Sequence, residues 1–550
     1  MVGAVTDGES AAVDPEGRRP GTGRAAAGMG AAVALSRGIG FVRILTIAAV
    51  LGTTYLGNTY SSSNSVSNVI FELLAAGALS AVLVPTFTNL FAARDRAEVE
   101  RLAGGLLGLA LLVLGVLVVL GEIFAGRIAH LLVSGVSSPE VAAQQQALST
   151  FLLRFMIPQI LLYAFGAVAV GILHAQRRFI VPALAPIALT VVVVTGMLVF
   201  RAIVGPGDPG LDLSSGARLC LALTATLGVT AFVAMPVVAM LRSGVRPRIH
   251  IPRRDAAVGR LLRLSGWAIL QHAAFGLLLG VCIVIGNGVR GGTVAYQVAF
   301  VFFTAPYAVL AEPIHTTALP ELSGDADRGD LGSFAATVRW AFDSMAMLLL
   351  PMAAGMIALA TPGMRAVAFG NAASPQGVHL LAVAVATLAV GLLPYAAFFL
   401  FARSCYALED SRMPATLALG AAVVAGVVML AVAPHTSGAG RVAVLGLGNT
   451  LASLLAALVL GVVLRRRLGH RIVPLGAARS LVVSAVVGVG VWFAADALDP
   501  RGRIMSAVVV VALAAVGGGV YLVGLRLLGA SIRLRPRLPG AGPRPAVGDA

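Results

Sequence analysis

Leu102-Ala-Gly-Gly-Leu-Leu-Gly-Leu-Ala-Leu-Leu-Val-Leu-Gly-Val-Leu-Val-Val-Leu-Gly121 runs between Arg101 and Glu122 without one charged or hydrogen-bonding side chain. As a helix rising 1.5 Å per residue it covers about 30 Å, the thickness of a bilayer's hydrocarbon core. It lacks the two-residue alternation of a barrel strand. Lipid satisfies no open backbone group, so a helix is the only span it can form. Similar runs recur near 28–53, 59–92, 148–174, 179–203, 217–241, 261–287 and 293–319. They continue near 335–360, 378–401, 414–433, 442–464, 480–497 and 505–528. The chain is 58% hydrophobic and 12% charged, against about 25% charged in soluble domains. The three or four soluble domains that 550 residues would otherwise suggest are excluded. The expectation is an all-α polytopic membrane protein of about fourteen transmembrane helices.

The formal charge is +16, and every one of the 40 basic residues is arginine. Placing the N-terminus and the even-numbered loops on one side puts 29 arginines there and 8 on the other. The positive-inside rule then places both termini in the cytoplasm. The arginines lie between apolar runs rather than in one block, which argues against nucleic acid as a partner. Cys220, Cys282 and Cys405 are far apart and have no metal-ligand spacing.

The sequence also repeats. Tyr163-Ala164, Ala175, Pro182 and Ala183 return at one constant offset as Tyr395-Ala396, Ala407, Pro414 and Ala415. Val84-Pro85 returns at nearly the same offset as Leu319-Pro320. Each offset spans six helices, so the two copies share one orientation in the membrane. The expected order is a disordered cytoplasmic tail (1–27), an N-lobe of six spans (28–241) and a basic cytoplasmic linker (242–260). A C-lobe of six spans (261–464), two C-terminal spans (465–528) and a second disordered cytoplasmic tail (529–550) complete it.

Ionisable groups inside spans are costly and point to function. Ser36-Arg37-Gly-Ile-Gly-Phe-Val-Arg43 sets two guanidinium groups about 9 Å apart along the first helix, a residue type suited to phosphate. The alternatives are snorkelling to the interface or pairing with Glu72. The second helix opens with a polar run from Asn58 to Asn68, expected to line water or substrate, or to bond neighbouring helices. Glu312 and His315, three residues apart, form a candidate proton or cation site. No P-loop, HExxH or nucleophile elbow is present, so neither an enzyme nor bound ATP is expected, and no cofactor or metal.

Four segments carry a family resemblance: Ser36 to Arg43, Ala76 to Pro85, Ala175-Gln-Arg-Arg-Phe-Ile-Val-Pro182 on to Pro186, and Leu393-Pro-Tyr395 on to Pro414. From about 30 to 530 the chain resembles the MurJ/MviN family of the multidrug/oligosaccharidyl-lipid/polysaccharide exporter superfamily. The resemblance implies a flippase of the bacterial cell membrane. It would carry lipid II, the undecaprenyl-diphosphate-linked peptidoglycan precursor, to the outer leaflet by alternating access between two lobes. It implies that Arg37 and Arg43 grip the diphosphate. Asn58, Asn68 and Glu72, from the polar run of the second helix, are the further candidate substrate contacts, and Glu72 could instead act as a protonatable coupling group. The last two helices would form a groove for the lipid tail. Expected partners are lipid II or a related polyprenyl-diphosphate glycan, membrane lipids and cell-wall synthesis proteins. Several polar residues of the family pattern are replaced: by Ile44, by Asn58-Thr-Tyr60, at Phe71 and Glu72, in Ala75-Ala76-Gly77 and at Phe300-Val301. A cation-coupled exporter of small amphipathic molecules, a flippase for another polyprenyl-linked glycan and a non-transporting scaffold remain the alternatives.

Overall fold

Apolar runs with no hydrogen-bonding partner but themselves form helices throughout the computed structural model. It describes residues 22–78, 84–251, 256–472 and 474–529; within these, the side chains of 22–34, 70–78, 84–86, 256–265, Ala268 and Leu475 lie outside the description. The first half contains α1 (Thr22–Leu51), α2 (Tyr55–Ala78), α3 (Val84–Ala92), α4 (Arg96–Leu132), α5 (Pro139–Met156), α6 (Ile160–Ala175), α7 (Ile180–Val204) and α8 (Ser215–Arg242). The second begins with α9 (Ala256–Asn287), α10 (Gly292–Pro306), a π-helical turn (Tyr307–Ala311) and α11 (Glu312–Asp327). It continues with α12 (Leu331–Ala358), α13 (Ala360–Val367), α14 (Pro375–Ala389), α15 (Leu392–Ala407), α16 (Arg412–Val432) and α17 (Gly438–Leu468). Helices α18 (Leu475–Leu498) and α19 (Arg503–Leu527) close the chain.

Among the described residues, 11 helices are long and apolar enough to cross a membrane, or 12 with α14 and α15 taken as one span bent by 43°. Helices α1 and α2, only partly described in their side chains, stand where the first two of the fourteen spans are expected. The chain is an all-α, multi-pass membrane protein. Several boundaries differ from expectation, and α5, for one, opens at Pro139 where the span is expected from 148. Helix α1 starts at Thr22 instead of 28, because Ala25-Ala26-Ala27 propagates a helix readily. Helix α4 runs well past 122, to Leu132, since nothing before Gly135 breaks it. The expected span 59–92 is divided into α2 and α3, with 79–83 outside the description. The expected tails fall almost wholly outside the described residues.

The repeat is present in the backbone. Arg177 and Glu409, at equivalent positions of the two copies, both adopt the left-handed conformation at φ 59°. The next amide in each case reaches back five residues, Arg178 to Leu173 and Asp410 to Cys405. Arg94 and Gly329, an equivalent pair earlier in each copy, likewise have φ 57° and 69°. Asp95 and Asp330 follow them, and each accepts from the amide three residues on to cap the next helix. Proline opens both α5 and α14, and both break before continuing as α6 and α15.

The largest apolar cluster is built from the second half together with Ile44, Leu45 and Ala48 of α1. Val50 and Leu51 of the same helix belong to a first-half cluster with α5, α7 and α8. Helix α1 therefore packs on both halves. The chain joining the halves lies along α4: the Arg246 amide donates to Glu100 at 2.9 Å and the His250 amide to the Gly104 carbonyl at 3.3 Å. A β-carbon on Gly104 or Gly108 would collide with the backbone carbonyls of Arg248 or His250. These two glycines form the rail that the connection occupies. Gly104→Val or Gly108→Val should lift the connection without unfolding the bundle. Trypsin should then cut after Arg248 severalfold faster in detergent, with the melting temperature little changed.

Candidate functional site

A cavity of about 430 Å³ lies between residues of both halves. One wall comes from α1, α2 and α6 to α8 and the other from α9, α10 and α15 to α17. Arg43 is the one charged side chain among its described lining residues, facing Tyr60 and Tyr163. No carboxylate among the described residues forms an ion pair with it. A guanidinium with no carboxylate partner among the described residues is a candidate anion site, because its fork of donors matches a phosphate or carboxylate in two bonds.

The polar run of α2 divides by face. Asn64, Ser65 and Asn68 line the cavity, and the Tyr163 hydroxyl donates to Asn68 Oδ1 at 3.1 Å. Thr59, Ser62 and Ser65 donate to carbonyls of their own helix, and Ser67 to the Met156 carbonyl of α5 at 2.7 Å. The run thus divides three ways: Asn64, Ser65 and Asn68 face the cavity, Ser67 ties α2 to α5, and Thr59 and Ser62 bond within their own helix.

Asn58 is fully buried and does not line the cavity. Its amide donates to the Val289 carbonyl at 2.7 Å, while its oxygen accepts from Thr293 and Val294 amides at 3.1 and 3.3 Å. It pins the start of α2 to the α9–α10 turn. Asn287 donates to the Leu132 carbonyl at 2.9 Å, Asn371 to the Val50 and Gly207 carbonyls at 3.0 Å, and Arg290 pairs with Asp208. All of these knots lie at the loops holding few arginines, and each of them ties the first half to the second across a long stretch of chain.

Arg37 is held away from the cavity. Its guanidinium pairs with Glu312 Oε2 at 3.1 Å, joining α1 to α11. One turn further along α1, the Phe41 ring packs edge-on against Phe302 with centroids 4.5 Å apart. Glu312 and His315 do not share a partner: His315 is buried, with Nε2 2.9 Å from Met345 Sδ and its ring against Tyr307. Glu72 lies outside the described side chains. Sequence reasoning passed over Gln297 and Asn449, which line the cavity; an amide isolated in an apolar span was the available signal. It also used Tyr163 and Tyr395 only as repeat markers, yet both line the cavity.

The family model described as lipid II flippase MurJ matches residues 47–513. A probable lipid II flippase MurJ of Rhizobium tropici is 26% identical over 466 residues, covering 84% of this chain and 84% of that protein. The lipid II flippase MurJ of Burkholderia cenocepacia is 25% identical over 426 residues, covering 76% and 80%. A solved structure of lipid II flippase MurJ in an inward closed conformation matches with a TM-score of 0.69 at 16% identity, over 91% of this chain and 99% of that one. An inward-facing multidrug resistance MATE transporter of the MOP superfamily matches with a TM-score of 0.64 at 14% identity, over 79% and 94%. The fold, with its cavity between two halves of the chain, is the one these solved structures share. The family model shows more: the chain belongs to the MurJ lipid II flippase family, a family of transporters.

Arg43 and Asn58 predict opposite phenotypes. Arg43→Ala leaves no carboxylate among the described residues without its partner, so the melting temperature in detergent should stay within about 2 °C of the parent. Asn58→Ala strips two buried amides of their acceptor and should cost about 2–5 kcal/mol, seen as a clear fall in melting temperature.

Proposed function

We propose that the chain carries lipid II, or a closely related polyprenyl-diphosphate-linked glycan, from the inner to the outer leaflet by alternating access. The observation that carries this reading is Arg43, which lies in a cavity between the two halves with no carboxylate partner among the described residues. A diphosphate is the anion its fork of donors fits best. At about 430 Å³ the cavity is near the low end for small-molecule pockets, so a glycan headgroup requires the halves to separate on one side. A cation-coupled exporter would call for a carboxylate at the site, and the described lining holds none.

The division into lobes over 28–241 and 261–464 is supported by the duplicated turns and the separate apolar clusters. Large apolar side chains on α18 and α19, such as Val486, Phe493, Val511 and Val516, are exposed. They suit these helices to a lipid tail. The arginine asymmetry supports a cytoplasmic position for both termini. In a variant lacking the native cysteines, Ser137→Cys should label with an impermeant maleimide outside intact cells. Glu409→Cys should label only after lysis, and the reverse pattern would invert the topology.

Cells depleted of their own lipid II flippase should recover outer-leaflet lipid II and growth when this chain is expressed. Arg43→Ala should abolish rescue, because a lost charge-assisted contact weakens headgroup binding roughly 10- to 100-fold. Failure of a well-inserted parent to rescue would reject lipid II as substrate.

A further inference from the structure

The two arginines of α1 stand in different states. Arg43 has no anionic partner among the described residues, whereas Arg37 already holds the carboxylate of Glu312. That pair bridges the first half to the second at the end of α1 opposite the Asn58 knot. The Phe41–Phe302 contact reinforces the same seam. A second guanidinium, that of Arg403 on α15, has a buried Nη1 with no hydrogen-bond partner among the described residues. Tyr307 lies within electrostatic reach of Arg37, Glu312 and Arg403 together.

The backbone before Glu312 is suited to movement. The π-helical turn Tyr307–Ala311 sits between Pro306 and Pro313, each of which lacks an amide donor. A π turn holds one residue more than an α turn. Shifting that residue past Glu312 would swing its side chain about 100° around the helix axis.

We propose that Glu312 is a carboxylate switch with two seats, Arg37 when the seam is closed and Arg403 when it is open. The phosphate of a polyprenyl-linked substrate displaces it from Arg37. Glu312 thus acts as a resident anion that keeps the seam shut until a phosphate competes for the same fork of donors. Arg403 receives the displaced carboxylate, so opening leaves neither charge unpaired. This rests on the flippase reading for the identity of the ligand, but not for the seam itself.

The test uses the full chain in nanodiscs, with Cys220, Cys282 and Cys405 replaced by alanine and the pair Phe41→Cys, Phe302→Cys as a cross-linking reporter. The parent should cross-link readily, and undecaprenyl diphosphate should lower the yield. Glu312→Gln should lower the yield without lipid. In the native-cysteine chain it should bind undecaprenyl diphosphate about three- to fivefold more tightly, the strength of a half-exposed ion pair. Arg403→Gln should keep the seam cross-linked even with lipid present. Binding that needs Arg43 but ignores Glu312, with unchanged cross-linking, overturns the switch and leaves the flippase reading intact. Binding to no variant overturns the flippase reading and, with it, phosphate as the displacing group. The affinity measurement needs no engineered cysteine, so it decides the matter even if the reporter pair misfolds.

Discussion

Hydrocarbon offers no hydrogen bond to a peptide group, and most of this structure follows from that constraint. Each apolar run satisfies its own backbone by winding into a helix, so side chains have no need to do so. Polar side chains in the spans are therefore free to bond across helices, and the asparagines do. Asn58, Asn287 and Asn371 hold turns of one half against carbonyls of the other. Beside the half-exposed Arg290–Asp208 pair, the buried ties at that end are uncharged amides, whose hydrogen bonds survive burial without the desolvation cost of ions. At the opposite end the halves meet through Arg37 and Glu312, a half-exposed ion pair. Pairs of that kind are worth about 0–1 kcal/mol and separate easily. The two ends thus differ in strength because they differ in chemistry.

The helical class, the approximate span positions and the duplication were legible because they depend on composition and on residues recurring at fixed offsets. The duplicated turns were visible only as matches of Ala, Tyr and Pro. Their shared left-handed residues, Arg177 with Glu409 and Arg94 with Gly329, have no common side chain to reveal them. The extent of α4 was not legible: hydropathy ends at Glu122, but a helix ends where its backbone is broken.

The site was legible in part. Arg43 and Asn68 were found because ionisable and amide groups are conspicuous in apolar runs. The separation of Arg37 from Arg43 could have been read as well. Six residues at 100° each leave side chains about 120° apart, so one face cannot present both. Asn58 could not have been placed in a knot, because its partners are backbone groups in the other half of the chain, and backbone groups carry no sequence signature.

The twin turns at 177 and 409 share one backbone shape but carry different electrical loads. The first exposes Arg177 and Arg178. The second carries Glu409 and Asp410, and Arg467 sits 2.7 Å from Asp410 to neutralise it. A charged membrane surface therefore pulls differently on the two turns. Lipid headgroup composition would act as a lopsided load on two otherwise matching pieces of backbone.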